Sequence, residues 1–184
     1  MAEIEIVSRT VDIPLKNLHH QYKPKITPME LYPGEDPMHV KKSHHVSLLK
    51  LIKKVGLDFK KLKDHPYVQE RRHRYNIGMT AWTDSHLMEH IKRRWATYLS
   101  LKKKGYNRKL GKKKPVIVLS KPIWETRMNW VSGFLNGPEV WDGMGRVSAA
   151  ICLGWDTIPG QYAIDAKPGS MDIEKFIGKI KAKK

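Results

Sequence analysis

Apolar and polar positions alternate at the start of the chain, with Ile4 and Ile6 between glutamates and the same beat returning from Val11 to Leu18. A period of two puts successive side chains on opposite faces, so residues 4–18 are expected to be strand. His19 to Pro37 contains four prolines and a glycine and reads as loop. The period then lengthens. Ser43 stands as a helix cap, Leu48, Leu49, Ile52 and Val55 form one face, and Gly56 is the stop. Residues 57–82 fit neither period and are left unassigned. Thr83 or Asp84 caps the clearest helix, whose apolar positions are Leu87, Ile91, Trp95 and Tyr98. Lys102–Lys104 complement its C-terminal dipole before Gly105, and Lys109 to Lys114 make a basic turn.

Pro115 to Leu119 reads as a buried strand, followed by Pro122–Trp124 and an irregular stretch through Pro138. Val140–Trp141 is a short strand, Gly143 and Gly145 form a turn, and Arg146–Leu153 is a helix ending at Gly154. Ile158 to Ile164 is a further strand. Pro168–Gly169 interrupts the chain, and Met171–Lys181 is expected as a last helix. This order predicts an α/β (α+β) protein with a small mixed sheet and a helical N-terminal elaboration. Its divisions would be an N-terminal strand-and-helix region over 1–83, a core over 84–168 and a basic tail over 169–184, packed as one domain.

Composition supports a folded chain, since 40% of the 184 residues are hydrophobic and 9% aromatic. Charge changes the picture more. Thirty-five Lys and Arg against 18 Asp and Glu leave +17, an excess that repels itself in a compact state and calls for a polyanionic partner, DNA or RNA first. Cys152 is the single cysteine, which excludes an internal disulfide and a cysteine-based zinc knuckle. The acidic N-terminus lacks the apolar segment of a signal peptide, and no apolar run reaches the ~18 residues of a membrane span. The expectation is a cytoplasmic protein without membrane contact.

The strand–glycine–helix stretch around Gly143 carries the chemistry. The first N–H groups of a helix point outward unpaired, and with the positive end of the dipole they bind anions. Gly143 and Gly145 let backbone approach a ligand, Met144 lies between them, and Arg146 adds a fork shaped for phosphate oxygens. Ser148 adds a hydroxyl in the first turn, and Asp142 is the nearest carboxylate, able to position a magnesium ion or act as base. The expected cofactor-binding set is therefore Gly143, Met144, Gly145, Arg146 and Ser148, with Asp142 and Arg146 as catalytic candidates. Gly143-x-Gly145-x-x-Ser148, with Asp165 farther on, also comes near a dinucleotide fingerprint. The preceding strand is short, however, and only 39 residues follow Gly145, too few for a doubly wound half.

Val140-Trp-Asp-Gly-Met-Gly-Arg-Val-Ser-Ala-Ala-Ile-Cys-Leu-Gly-Trp-Asp-Thr-Ile-Pro159 resembles the signature of the ParB/sulfiredoxin-like superfamily. There a strand ends in a Gly-x-x-Arg turn, an alanine-rich helix follows, and Leu-Gly leads to an Ile-Pro strand. The helix ending at Gly105 and the Pro115-Val-Ile-Val118 strand fit the family's order, so the likeness spans residues 84–165 and loosely Val11–Leu18. The resemblance implies a small α/β domain whose turn holds nucleotide phosphates, ATP or CTP with Mg²⁺. Members bind or hydrolyse these nucleotides, phosphorylate small molecules or serine, or reduce oxidised cysteine, and some carry nuclease labels. Gly143 and Arg146 occupy the fixed places of the motif. Met144 and Gly145 stand where ParB has Glu and Arg, which argues against ParB-type CTP switching. The cysteine of sulfiredoxin is replaced as well, which argues against sulfinate repair. The chain ends about 20 residues past Asp165, too soon for the ParB helix-turn-helix. Such a compact basic chain would suit a phage or mobile element.

Three further groups stand out. Arg71, Arg72 and Arg74 lie near Tyr75, Arg93 and Arg94 precede Trp95, and Lys112, Lys113 and Lys114 follow Tyr106, a mixture of cations and aromatics expected to contact nucleic acid. His86-Leu-Met-Glu-His90 matches an inverted zinc-peptidase pattern, with Glu89 as base and Glu125 or Glu139 as a distal ligand. The adjacent Lys92-Arg-Arg94 is an unfavourable field for a dication, so no metal ligand is assigned. His19–His20 and His44–His45 are expected to face solvent, and Cys152 the core. Taken together, these readings point to a nucleotide-binding protein acting on or beside nucleic acid, by NTP-dependent phosphoryl transfer, hydrolysis or phosphodiester cleavage. The alternative is a non-catalytic nucleic-acid-binding accessory protein; a zinc peptidase ranks third.

Overall fold

The computed structural model describes residues 4–6, 9–19, 39–76, 83–106, 115–119 and 138–165. The basic turn at Lys109–Lys114, the Pro122–Trp124 segment and the expected helix at Met171–Lys181 lie outside the described residues, as does most of the His19–Pro37 loop. Within them the protein is a mixed α/β structure.

Five strands form one mixed sheet: β1 (Ile4–Ile6), β2 (Val11–Pro14), β3 (Val116–Leu119), β4 (Glu139–Asp142) and β5 (Thr157–Asp165). β5 lies inside it. β1 and β2 follow one another along one edge of β5, both antiparallel, with Ile6 opposite Ala163 and Ile13 opposite Ile158. β3 pairs with the other edge in parallel, Val116 opposite Gly160, and β4 closes the sheet antiparallel to β3. Gly160 thus has neighbours on both sides. A Cβ there would stand 2.6 Å from Ile13 Cδ1 and 2.7 Å from the Val116 carbonyl oxygen, so only glycine lets β2 and β3 come this close.

The helices are α1 (His44–Val55), α2 (Phe59–Leu62), α3 (Pro66–Asn76), α4 (Asp84–Lys104) and α5 (Met144–Cys152). α5 lies between the sheet and the other helices. Its Val147 and Ala150 join Ile13, Val116, Val118, Val140 and Ile158 in the sheet core, while Ala149 meets Leu49, Tyr98 and Leu101 of α1 and α4. Burial on both sides explains the small residues, since bulky ones would push the layers apart. A second helical core joins Leu48, Ile52, Leu62, Tyr67, Val68, Leu87 and Ile91. Each fully buried Leu or Ile contributes about 1.5–3 kcal/mol.

Several boundaries differ from expectation, each for a local reason. The strand at Val11 ends at Pro14, which lacks a donor for the ladder, and Leu15–Asn17 turn as a 3₁₀ segment with the Leu15 N–H on the Asp156 carbonyl. Residues 57–82, left unassigned, hold α2 and α3. Asp58 caps α2 and Pro66 opens α3, where a missing N–H costs nothing. The remainder of α3 is so polar that only Tyr67 and Val68 are buried among its described side chains. α5 begins at Met144, two residues earlier than read, because Gly143 itself serves as the cap. His45 does not face solvent. It is 6% exposed and meets the Tyr67 ring edge-on at 5.0 Å, whereas His44 lies 3.5 Å from Glu70.

Candidate anion site at the mouth of α5

β4 delivers Asp142 to the rim of the sheet, and Gly143 then turns the chain with φ +90° and ψ 15°. Its carbonyl accepts from the N–H groups of Arg146 at 2.8 Å and Val147 at 3.1 Å, which starts the helix. α1, α2 and α4 open with the side chains of Ser43, Asp58 and Thr83 accepting a backbone N–H. At α5 the cap has no side chain, so the first N–H groups, those of Met144 and Gly145, are left to an outside acceptor.

Two guanidiniums flank that turn. Arg146 folds back over Gly143, where its Nη2 donates to the Pro115 carbonyl at 2.9 Å and lies 3.9 Å from Asp142 Oδ2. The side chain of Arg146 is 21% exposed against 68% for Asp142. Arg146 therefore braces β3 against α5 as well as standing at the mouth. The second cation is Arg94 of α4, whose Nη1 stands 3.4 Å from where a Cβ on Gly145 would be. Its Nε donates to the Tyr67 hydroxyl at 2.6 Å, and that hydroxyl lies 2.8 Å from His90 Nδ1. Burial, helped by Arg94, Arg71 and Arg93, holds His90 down at about 4 against the opposing pull of Glu89. The neutral ring accepts the phenolic proton on Nδ1, leaving the phenolic oxygen to accept from Arg94. Arg94 is thereby fixed by a buried tyrosine. Sequence reading placed Arg94 in a nucleic-acid stripe and missed Tyr67 altogether, because the contact joins helices 27 residues apart and no local period signals it.

The other expected site residues fall in different places. Ser148 is fully buried and donates to the Met144 carbonyl at 2.7 Å, so its hydroxyl bonds one turn back instead of lining the mouth. Arg71 lies 3.5 Å over the Tyr67 ring and donates to the Tyr67 carbonyl, and Arg72 pairs with Asp84 at 2.7 Å. These two arginines, expected on nucleic acid, fasten α3 to its own first turn and to α4. Arg93 is exposed and pairs with Glu89. The Arg74 side chain and Lys112–Lys114 lie outside the described residues, as do Glu125 and the Glu139 side chain.

The zinc pattern is taken apart by the same contacts. His86 is exposed, Glu89 is held by Arg93, and His90 Nδ1 is occupied by Tyr67. Among the described residues no group of three or more His, Cys, Asp or Glu is placed to hold a metal ion. Ser47 and His65 approach to 3.1 Å, a pair that resembles a nucleophile and base. His65 Nδ1, however, accepts the Tyr67 N–H at 3.1 Å, so Nε2 carries the proton and donates to Ser47, which donates on to the His44 carbonyl. That tautomer cannot take a proton from serine. Cys152 donates to the Val46 carbonyl, and burial raises its thiol pKa, the profile of a packing cysteine. Among the described residues no helix is long and apolar enough to cross a membrane. Comparison with known protein families, curated proteins and solved structures gives no match to this chain.

Proposed function

We propose that the protein binds a phosphorylated ligand, a nucleoside triphosphate such as ATP or CTP, at the mouth of α5 and acts on or beside nucleic acid. The observation that carries this is the helix start itself, which has no side-chain cap, a left-handed Gly143 covered by Arg146, an open Gly145 beside Arg94, and so a guanidinium at each glycine. Backbone donors, a helix dipole and cations at one helix start are the combination that favours phosphate. The sequence likeness to the ParB/sulfiredoxin-like superfamily supports the same reading, because Gly143 and Arg146 stand in its motif places. In that reading Asp142 would hold a magnesium ion that neutralises phosphate charge, with phosphoryl transfer, hydrolysis or phosphodiester cleavage as the chemistry.

A second reading, a non-catalytic accessory protein, is favoured by Asp142 lying 3.9 Å from Arg146, which already offers the carboxylate a cation of its own chain. Release of phosphate from ATP or CTP, or cutting of DNA or RNA, separates the two.

Gly145→Asp tests the site itself. A Cβ on Gly145 meets only Arg94 Nη1, at 3.4 Å, so a first side-chain atom fits and the next atoms lie beside a guanidinium. Its carboxylate would take the place of phosphate at a helix N-terminus, where an acid is worth about 0.3–1 kcal/mol. Stability should hold or rise while nucleotide and inorganic phosphate binding is lost. Titration with each nucleotide and Mg²⁺ reads this directly. Undiminished affinity in Gly145→Asp would remove the mouth of α5 from the account.

A further inference from the structure

The described cations divide largely by type, with Arg9 and the Glu89-paired Arg93 as exposed exceptions. Every described lysine is exposed, whereas Arg71, Arg72, Arg94 and Arg146 are half-buried. Those four arginines are bonded to Tyr67, Asp84, Tyr67 and Pro115 respectively. Among the described lysines the one ion pair is Lys61 with Asp58, itself exposed. The division has a physical cause. Guanidinium is planar and weakly hydrated and packs into interiors, while ammonium holds its water and stays out. Four of the six arginines with described side chains are used in building the protein, and among the described residues most of the charge that reaches solvent comes from lysine.

The lysines are not spread evenly. On α1, Lys50, Lys53 and Lys54 share a face by helical spacing. Lys53 Nζ lies 6.0 Å from the centre of the Tyr98 ring of α4, and Lys50 and Lys53 both act on the Cys152 thiol of α5. Lys102 stands one turn beyond Tyr98 on α4. The C-terminal parts of α1 and α4 thus carry lysines beside Tyr98 and the Cys152 end of α5, next to the core that holds Leu49, Tyr98, Leu101 and Ala149. Of the aromatic rings there Tyr98 is turned inward, and Trp95, Tyr106 and Trp155 are partly buried against the same core. Trp95 and Tyr98 stack with centroids 4.8 Å apart, and Tyr98 is 3% exposed. A surface of point charges whose described rings are buried or partly buried, none standing free, suits a regular phosphate backbone better than splayed bases.

We infer that the face formed by Lys50, Lys53, Lys54 and Lys102 seats the phosphate backbone of duplex nucleic acid, without reading its sequence. This rests on the nucleic-acid half of the proposed function and is independent of the mouth of α5.

The test is duplex binding across a salt series, with one variant carrying Lys50→Gln, Lys53→Gln, Lys54→Gln and Lys102→Gln. A second variant, Lys60→Gln, Lys61→Gln, Lys63→Gln and Lys92→Gln, removes equal charge from α2 and an earlier turn of α4. Each backbone contact contributes about −0.9 to the slope of log affinity against log salt. The first variant should lose about 3–4 from the slope at unchanged thermal stability, and the second less than about 1. Equal losses in both would overturn the face while leaving nucleic-acid binding standing. Tighter binding to single strands than to duplex, or to anionic vesicles but not nucleic acid, would overturn it too. No binding of the parent to DNA or RNA at low salt would remove the nucleic-acid reading itself.

Discussion

Replacing Gly143 by alanine separates what the turn demands of the backbone from what it demands of its surroundings. At φ +90° an L-residue carries a strain of about 1–2 kcal/mol. Space adds to it. The new methyl group would stand 2.9 Å from both Arg146 Nη2 and Val116 Cγ2, and 3.1 Å from Val116 Cα. The guanidinium can swing away only by leaving the Pro115 carbonyl, and the Val116 backbone is held in the sheet opposite Gly160 of β5. Such overpacking costs about 1–3 kcal/mol, for a total of roughly 2–5. Gly154 supplies the control. Its φ is +78°, with nothing within 4 Å of a Cβ, so Gly154→Ala should cost the strain alone, about 1–2 kcal/mol. Urea melts of the two variants should share one slope and differ in midpoint by about 0.3–1.5 molar, for a slope near 2–3 kcal/mol per molar. Equal midpoints would mean that Arg146 and β3 do not approach the turn this closely.

Tyr67→Phe removes the hydroxyl between Arg94 and His90, and loss of a hydrogen bond to a charged group should destabilise by about 1.5–3 kcal/mol in the same urea assay; a neutral result would detach Arg94 from α3. Arg71→Ala should cost about 1–2 kcal/mol through its place over the Tyr67 ring, and Arg72→Ala under about 1 because its partner Asp84 is 61% exposed; the reverse order would contradict the packing described. His65 and His90 are held near 4 in the folded chain against 6.5 unfolded, so the unfolded state binds more protons between those values. Stability should therefore be full above about pH 6.5 and fall as pH drops toward 4, with a shallower fall in His90→Asn, which keeps an acceptor for Tyr67 but does not titrate. A pH-independent urea midpoint across that window would refute both assignments.

Elements whose apolar residues repeat on a local period were legible in the sequence. The caps at Ser43 and Thr83, the inward faces of α1 and α4, and the strand–glycine–helix order around Gly143 follow from neighbours a few residues apart. Residue type alone also singled out Gly143 and Arg146, and both stand at the start of α5, Gly143 as its cap and Arg146 bonded to the Pro115 carbonyl. α3 was hidden because its stability comes from elsewhere. Its two buried residues set no period, and its arginines look like a nucleic-acid stripe until Tyr67, Glu70 and Asp84 are seen beside them. Ser148 was misplaced because a serine one turn into a helix can turn its hydroxyl outward or bond back four residues, and only the burial of α5 between two layers decides which. Charge was the plainest case. The sequence fixes the sum at +17, but which cations hold the chain together and which face water depends on contacts between helices far apart along it. Arg71, Arg94 and Arg146 go to a ring, a hydroxyl and a carbonyl while the described lysines and Arg93 stay at the surface, a sorting that only the folded chain carries out.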